Sequence, residues 1–306
     1  MEKTGGLSLI DLDMKDRKIL YQLDLNCRQS NTQIGHKVGL SRKVVEYRIN
    51  RMEESGLIHN YFTVINSYML GYDAYRYYLK FQNATNKIKD EIGEYVSKYK
   101  HIWTCSAIKG VYDLSIVVWV SNIQEFYNFW DDINDKYGDY FAEKLFSIYV
   151  KAHCYPNSYL LGEEYDVKER DIFQITGEDS KVDIDYIDYQ ILNIISMDAR
   201  ISTVDIANQV NLSSQNTQYR INKLKEKNLI QAFRVNIDVT KINLSHFKVD
   251  IFLNQPSKRK KLWNELKALS NVIFINTSVG YADIEIEIIV KSSDDIIEIM
   301  DKIMSK

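Results

Sequence analysis

Apolar residues recur along the chain with two alternating periods, one near 3.6 and one of 2, so helical and extended stretches are expected to alternate. After Asp13, placed where an N-cap belongs, Ile19, Leu20 and Leu23 follow at helical spacing. A second short helix around Thr32–Val38 carries Ile34 and Val38 on one face. Gly39-Leu40 then makes a tight turn, and Ser41 caps a third helix whose Val45, Ile49 and Met52 form its buried stripe. Gly56 stands at that helix's C′ position, and an extended run, Phe62–Asn66, follows as a wing or connector. Helix, short turn, helix is the helix-turn-helix plan.

The plan occurs twice. Residues 12–65 align without a gap with residues 184–237, and 18 of the 54 positions are identical. The identities include Asp13/Asp185, Asp16/Asp188, Arg28/Arg200 and Tyr47-Arg48-Ile49-Asn50/Tyr219-Arg220-Ile221-Asn222. The second copy repeats the stripe as Thr217, Ile221 and Leu224, and Asn228 replaces Gly56 as the next-best left-handed residue. Two copies are too few for a solenoid, so a unit of about 150 residues is read as duplicated.

The period changes after each copy. Tyr75, Tyr77, Leu79 and Phe81 alternate with Arg76, Tyr78 and Lys80, as in a half-buried strand. Helices at Asn86–Tyr99 and Ile123–Tyr137, two β-rich runs flanking Gly110-Val-Tyr-Asp113, and a strand at Phe141–His153 complete βαββαβ, the ferredoxin-like order. Phe247–Leu253, Lys258–Leu269, Val272–Val279, Ile284–Val290 and Asp294–Met304 repeat it as βαββα, without the last strand. Its absence is expected to leave the backbone of the first strand of that unit open at a sheet edge.

In the third strand of each unit, Leu114, Ile116 and Val118 match Ile284, Ile286 and Ile288 and are expected to face the helices. The opposite face carries Ser115, Val117 and Trp119 in one copy, and Glu285 and Glu287 in the other. Two units packed open face to open face would make a covalent pseudo-dimer or feed a true homodimer. Glu285 and Glu287 then meet either Arg76 and Lys80 across the contact or Lys248 on the adjacent strand.

Composition narrows the function classes. With 45% hydrophobic and 26% charged residues, the chain is an ordinary globular protein with real cores. No apolar run reaches membrane-spanning length, no signal-peptide core is present, and three cysteines without CxxC spacing suggest neither disulfides nor zinc, so a reduced, cytoplasmic protein is expected. Between the copies, residues 155–183 hold 8 acids against 3 bases, a solvated linker by composition, although Tyr159, Leu160, Leu161, Ile172 and Phe173 have the means to pack. Walker, HExxH, GxSxG and dinucleotide motifs are all missing.

The segments LSRKVVEYRINRMEESGLI (40–58) and LSSQNTQYRINKLKEKNLI (212–230), with the entries LDMKDRKIL and IDYIDYQIL, resemble the helix-turn-helix signature of the Lrp/AsnC transcription regulators. The α/β units with their Gly-x-x-Asp turns resemble that family's effector-binding and oligomerisation (RAM-type) domain. The resemblance implies an α+β protein of two winged helix-turn-helix domains (1–66 and 184–239) alternating with two ferredoxin-like RAM-type domains (67–155 and 240–306), the last lacking its final strand, with an acidic linker at 156–183. It implies double-stranded DNA as partner, a homo-oligomer, no resident cofactor and no enzymatic activity. It also places a small-molecule effector, an amino acid for example, near Gly110, Tyr112 and Asp113 and near Gly280 and Asp283; the same residues equally suit an ordinary hairpin turn capped by Asp.

The third helices carry chemistry of their own. Residues 41–52 hold four bases and one acid in a chain whose net charge is −3, a local basic footprint suited to phosphates. Ser41, Arg42, Lys43, Glu46, Tyr47, Arg48, Asn50 and Arg51 form the DNA-facing set. Arg42 and Lys43 are assigned to base edges because recognition helices approach bases with their N-terminal residues, and Arg48 and Arg51 are assigned to phosphates. The matching set is Ser213, Ser214, Gln215, Gln218, Tyr219, Arg220, Asn222 and Lys223, richer in amides that pair with adenine. This second helix either prefers A·T-containing half-sites or only supports the fold. Two other functions compete: a siroheme decarboxylase of Lrp-like architecture, with His101 and His153 facing the tetrapyrrole, and an interaction scaffold that does not bind DNA.

Overall fold

Polar residues that interrupt the apolar pattern act as caps and set where the helices begin. The computed structural model describes residues 9–162, 170, 173–178 and 180–304. The first half runs α1 (Met14–Leu25), α2 (Asn31–Val38), α3 (Arg42–Glu54), β1 (Ile58–Ile65), β2 (Asp73–Phe81), α4 (Asn86–Ser97), β3 (Ile102–Ala107), β4 (Leu114–Val120), α5 (Ile123–Tyr137) and β5 (Phe141–Cys154). The second runs β6 (Phe173–Thr176), α6 (Tyr186–Met197), α7 (Thr203–Gln209), α8 (Ser214–Glu226), β7 (Ile230–Ile237), β8 (Ser245–Ile251), α9 (Arg259–Leu266), β9 (Val272–Val279), β10 (Ile284–Val290) and α10 (Ser293–Met304). Asp13, Ser41, Asp185 and Ser213 each accept a hydrogen bond from the backbone N–H three residues on. The turn into each third helix needs a left-handed residue, supplied by Gly39 (φ 68°) in one copy and Asn211 (φ 54°) in the other.

The two helical segments share one apolar core. Val45, Ile49 and Met52 of α3 and Ile221 and Leu224 of α8 are buried in the same cluster, each worth roughly 1.5–3 kcal/mol of burial. The wing strands β1 and β7 pair antiparallel, with Tyr61 opposite Val235 and Thr63 opposite Phe233. Contacts across this junction come in pairs related by the repeat. Cys27 N donates to Phe233 O (2.9 Å) and Ala199 N to Tyr61 O (3.1 Å). The Arg28 guanidinium lies over the Phe233 ring (5.4 Å) and that of Arg200 over the Tyr61 ring (5.0 Å). Since each residue of one copy meets in the other the counterpart of its own partner, the two segments are related by an approximate two-fold axis.

The α/β units join edge to edge and pack face to face. Strand order in the sheet is β3-β4-β2-β5-β9-β10-β8, with β6 paired to β5. The long β5 pairs with β2 over Phe141–Ile148 and with β9 over Ile148–Cys154, so it passes from one unit to the other. Leu114, Ile116 and Val118 lie in the core under α4 and α5, and Ile284, Ile286 and Ile288 in the core under α9 and α10, as their alternation requires. The other faces meet. Arg76 on β2, fully buried, donates through Nη2 to Glu285 Oε1 on β10 (2.6 Å) and through Nη1 to Tyr149 Oη (2.8 Å). Lys248 on β8 donates to Glu285 Oε2 (2.7 Å), so Glu285 has partners both across the contact and on the adjacent strand.

Three expectations change at this contact. β2 is buried on both faces, because Arg76 and Tyr78 lie against the second unit. Lys80 does not reach across; it pairs with Glu143 on the exposed rim (3.1 Å). Glu287 meets His246 on the neighbouring strand β8 (3.0 Å) and neither Arg76 nor Lys80.

The stretch between the copies is partly packed. Leu160 is buried in the helical core, Tyr159 and Leu161 pack on it, and Phe173 joins the layer between the wings and the sheet. Ile172 lies outside the described residues. At the far end, β8 ends the strand path, and no strand covers its outer edge among the described residues. The helix above it registers the difference: α5 buries Phe126, Phe129, Ile133 and Tyr137, whereas Ile296, Ile299, Met300 and Ile303 of α10 are only partly buried.

Candidate nucleic-acid interface

A helix that puts one stripe into the core must present the rest to solvent, and for α3 that remainder is the predicted set. Ser41, Arg42, Lys43, Glu46, Tyr47, Asn50 and Arg51 are exposed; Arg48 is half-buried. On α8, Ser213, Ser214, Gln215, Gln218, Tyr219, Asn222 and Lys223 are exposed, and Arg220 is half-buried. Tyr47 and Tyr219 stand out at 67% and 60% exposure, large rings projecting from equivalent positions when few described aromatics are exposed. Val44, apolar and outside the predicted set, is also exposed, with Asn216 as its counterpart.

The assignment of arginines to phosphates is revised by the ion pairs. Arg48 Nη1 donates to Asp13 Oδ2 and Asp16 Oδ1, both at 2.8 Å. In the second copy Arg220 Nη1 meets Asp185 Oδ2 and Asp188 Oδ1, both at 2.7 Å. The backbone N–H of Asp16 and the Arg48 guanidinium together hold the Asp13 carboxyl below its usual range, and Asp188 and Arg220 do the same to Asp185. These arginines therefore bind the third helix to the first. Arg51 is intermediate: its Nη2 donates to Asp16 (2.6 Å) while 45% of the side chain stays in solvent. The sequence held the signal, since Asp13, Asp16 and Arg48 all recur at the repeat offset.

What remains is an uneven pair of faces. Arg42 and Lys43 stand at the N-terminal end of α3, where a groove-entering helix approaches bases. At the same end of α8 stand Ser214, Gln215 and Asn216; farther along, Gln218 donates to Asn222 (3.0 Å) and accepts from Thr203 (3.1 Å). The Lys223 ammonium lies 5.5 Å from the Tyr219 ring. Arg28, outside both faces, clasps the copies together: its Nη1 donates to Ala199 O (2.8 Å) and Ile201 O (3.0 Å).

The two Gly-x-x-Asp turns do not share one environment. Asp113 accepts from Phe81 N (2.8 Å) and Asp283 from Leu253 N (2.7 Å), so both carboxylates fasten a hairpin to the end of the neighbouring strand. Gly110 borders open space, and Tyr112 stacks on Tyr78 (5.3 Å). Gly280, at φ 101°, is packed so closely that a Cβ there would lie 3.1 Å from Phe146 O of β5. His101 and His153 have separate surroundings: His101 packs edge-on to Tyr72 (5.0 Å), and His153 to Trp263 of the second unit (4.7 Å). Burial pushes the His153 imidazole below its ordinary range.

Comparison with known proteins bears on both the helices and the whole chain. The model of a winged helix-turn-helix DNA-binding family matches residues 12–59 and again 184–231. The proline dehydrogenase transcriptional activator of Rhizobium radiobacter is 32% identical over 117 residues, 38% of this chain and 75% of that protein. An AsnC family transcriptional regulator from Agrobacterium tumefaciens aligns over 45% of this chain and 89% of its own at 21% identity, with a TM-score of 0.40. The siroheme decarboxylase NirDL, solved in complex with an iron-uroporphyrin III analogue, aligns over 95% of this chain and 86% of its own, with a TM-score of 0.60 and 10% identity. At that identity the likeness is one of fold. It nevertheless corrects the expectation that the chain is not an enzyme: this whole-chain fold is also that of an enzyme, so architecture does not exclude catalysis.

Proposed function

Because the chain belongs to the Lrp/AsnC family of winged helix-turn-helix transcription regulators, duplicated in tandem within one polypeptide, we propose that it binds double-stranded DNA sequence-specifically through α3 and α8 and controls transcription there. The observation that carries this reading is the pair of cations at the start of α3: Arg42 and Lys43 are exposed and free of the ion pairs that occupy Arg48. Tyr47 and Asn50, one and two turns on, extend the same face. The pairing of β1 with β7 and the shared apolar core join the two reading helices in one module, and the α/β units form the body that carries them.

Salt-titrated footprinting on genomic DNA tests the reading. Protection at discrete sites, with an affinity that falls steeply as salt rises, is the expected result. Binding without site preference rejects sequence-specific reading, and no binding even at low salt rejects the whole reading and favours the scaffold.

For small-molecule control we propose the first Gly-x-x-Asp turn, where Gly110 borders open space and Val111 is exposed, over the second, where Gly280 is packed against β5. A thermal-shift screen of the amino acids, repeated with Gly110→Trp, tests this. A stabilising amino acid whose effect survives the substitution would place the site elsewhere.

A second reading is favoured by the whole-chain fold shared with NirDL, in which siroheme would be a substrate. The polar layer between the two α/β units is the region to examine. Among the described residues, Arg76 Nε, Tyr78 Oη, Ser147 Oγ and Asn276 Oδ1 are buried there without a hydrogen-bond partner. Against it, Arg76 and Lys248, the cations suited to carboxylates, are both committed to Glu285. Titration with iron-uroporphyrin decides: a saturable Soret shift followed by CO2 release from siroheme supports catalysis, and an unchanged spectrum dismisses it.

A further inference from the structure

We infer that a single copy of this chain reads one DNA site built of two inverted half-sites of unlike base composition. The inference rests on the DNA-binding function proposed above and adds the form of the site.

Inversion follows from the symmetry of the helical module. The contacts Cys27 N to Phe233 O and Ala199 N to Tyr61 O, and the stacking of Arg28 and Arg200 on rings of the opposite copy, each occur once in either direction. They relate α3 to α8 by an approximate two-fold axis. A duplex has two-fold axes of its own, so helices related in this way meet sequence running in opposite senses. One polypeptide supplies both helices and a common core holds them, so the half-sites occur at one spacing.

Unlikeness follows from the faces. At equivalent positions Arg42, Lys43 and Val44 are replaced by Ser214, Gln215 and Asn216, all six exposed. Arg and Lys suit guanine O6 and N7, and an apolar side chain suits the thymine methyl; Gln and Asn suit adenine N6 and N7. Glu46, an acceptor for cytosine N4, has Gln218 as its counterpart, but that amide is engaged by Asn222 and Thr203, leaving Gln215 and Asn216 as the amides of this face without a side-chain hydrogen bond among the described residues. Tyr47/Tyr219 and Asn50/Asn222 are shared, so the half-sites differ most where the helix N-termini reach. Two identical chains joined as a homodimer would give equal halves; two unequal copies joined covalently do not.

Selection of the full chain against a random duplex pool tests this, together with the stoichiometry of the selected complex. The expected motif is an imperfect inverted repeat, guanine-containing on one side and A·T-rich on the other, bound by one chain. Ser214→Arg/Gln215→Lys/Asn216→Val/Gln218→Glu gives the N-terminal turns of the second helix the first one's side chains and is expected to select a palindrome, reversing the preference between unequal and equal sites by roughly tenfold or more. Gln215→Ala/Asn216→Ala, a milder change, is expected to remove preference on the A·T side alone. A palindrome selected by the unaltered chain, two chains per site, or an unchanged motif with either variant overturns the inference while leaving DNA binding intact. Failure to enrich any motif sinks the DNA-binding reading itself.

Discussion

The Arg76 guanidinium grips both oxygens of the Glu285 carboxylate, 209 residues away in the chain and fully buried between the two α/β units. Neither charge is solvated, so Arg76 depends on Glu285 for its counter-charge, while Glu285 is also met by Lys248. Glu285→Gln leaves the Arg76 cation buried without its counter-charge and is expected to cost about 3–5 kcal/mol in urea unfolding. Removing both charges with Arg76→Met/Glu285→Leu is expected to recover most of that loss. Equal losses in the single and double variants would show that shape, not charge pairing, is what the contact needs.

Acid should weaken the same contact. Burial alone would raise the Glu285 carboxyl, but Arg76 and Lys248 outweigh it and hold it at about 2, below the ordinary 4.5. For a carboxyl lowered in the folded state, the stability it contributes is fully present above about 4.5 and is lost as pH falls toward about 2. The urea midpoint of the unaltered chain is expected to fall more steeply across that window than that of Glu285→Gln. Parallel curves would assign the acid sensitivity to other groups.

Arg28 should matter to stability more than its charge suggests. It donates to the carbonyls of Ala199 and Ile201 and to the Thr203 hydroxyl (3.3 Å), all in the other copy. Arg28→Ala is expected to destabilise by roughly 2–3 kcal/mol, because two carbonyls lose their donor. Arg200→Ala, which gives up one bond to Asn31 (3.3 Å), should cost less. Chemical denaturation of the two variants checks the order.

Arg42 and Arg48 share a helix but should fail in different assays. Arg42→Ala/Lys43→Ala is expected to leave the melting temperature unchanged while weakening DNA binding by about 1–3 kcal/mol and relaxing base preference at one half-site, more than it alters the salt slope of binding. Arg48→Ala, which breaks the pairs with Asp13 and Asp16, is expected to lower stability by roughly 1 kcal/mol with little change in that slope. The reverse pattern would return Arg48 to the phosphates.

The equivalent glycines should likewise part company. Gly280→Ala imposes a Cβ at φ 101° and 3.1 Å from Phe146 O, and is expected to cost roughly 1–3 kcal/mol. Gly110→Ala meets nothing within 4 Å and should be tolerated. Thermal unfolding of the two variants compares them directly.

Much of the architecture was legible in local pattern. Caps at Asp13, Ser41, Asp185 and Ser213, the buried stripes of α3 and α8, and the alternation of β4 and β10 each depend on residues within a few positions of one another. Such features repeat when sequence repeats, which is why the doubling, the element order and the exposed faces of the third helices could all be read directly.

The sequence by itself determined which residues of α3, α8, β4 and β10 face the core of their own unit, because that follows from the period of the local backbone. Tertiary structure alone decided which partner each polar residue took. Arg48 was basic and on the right face, yet it turned to Asp13 and Asp16 because folding set those carboxylates beside it. Arg76 sat on what looked like a solvated side of its strand until the second unit covered it with Glu285. A charge takes its partner from whatever the chain brings within reach, and sequence distance sets no limit on that.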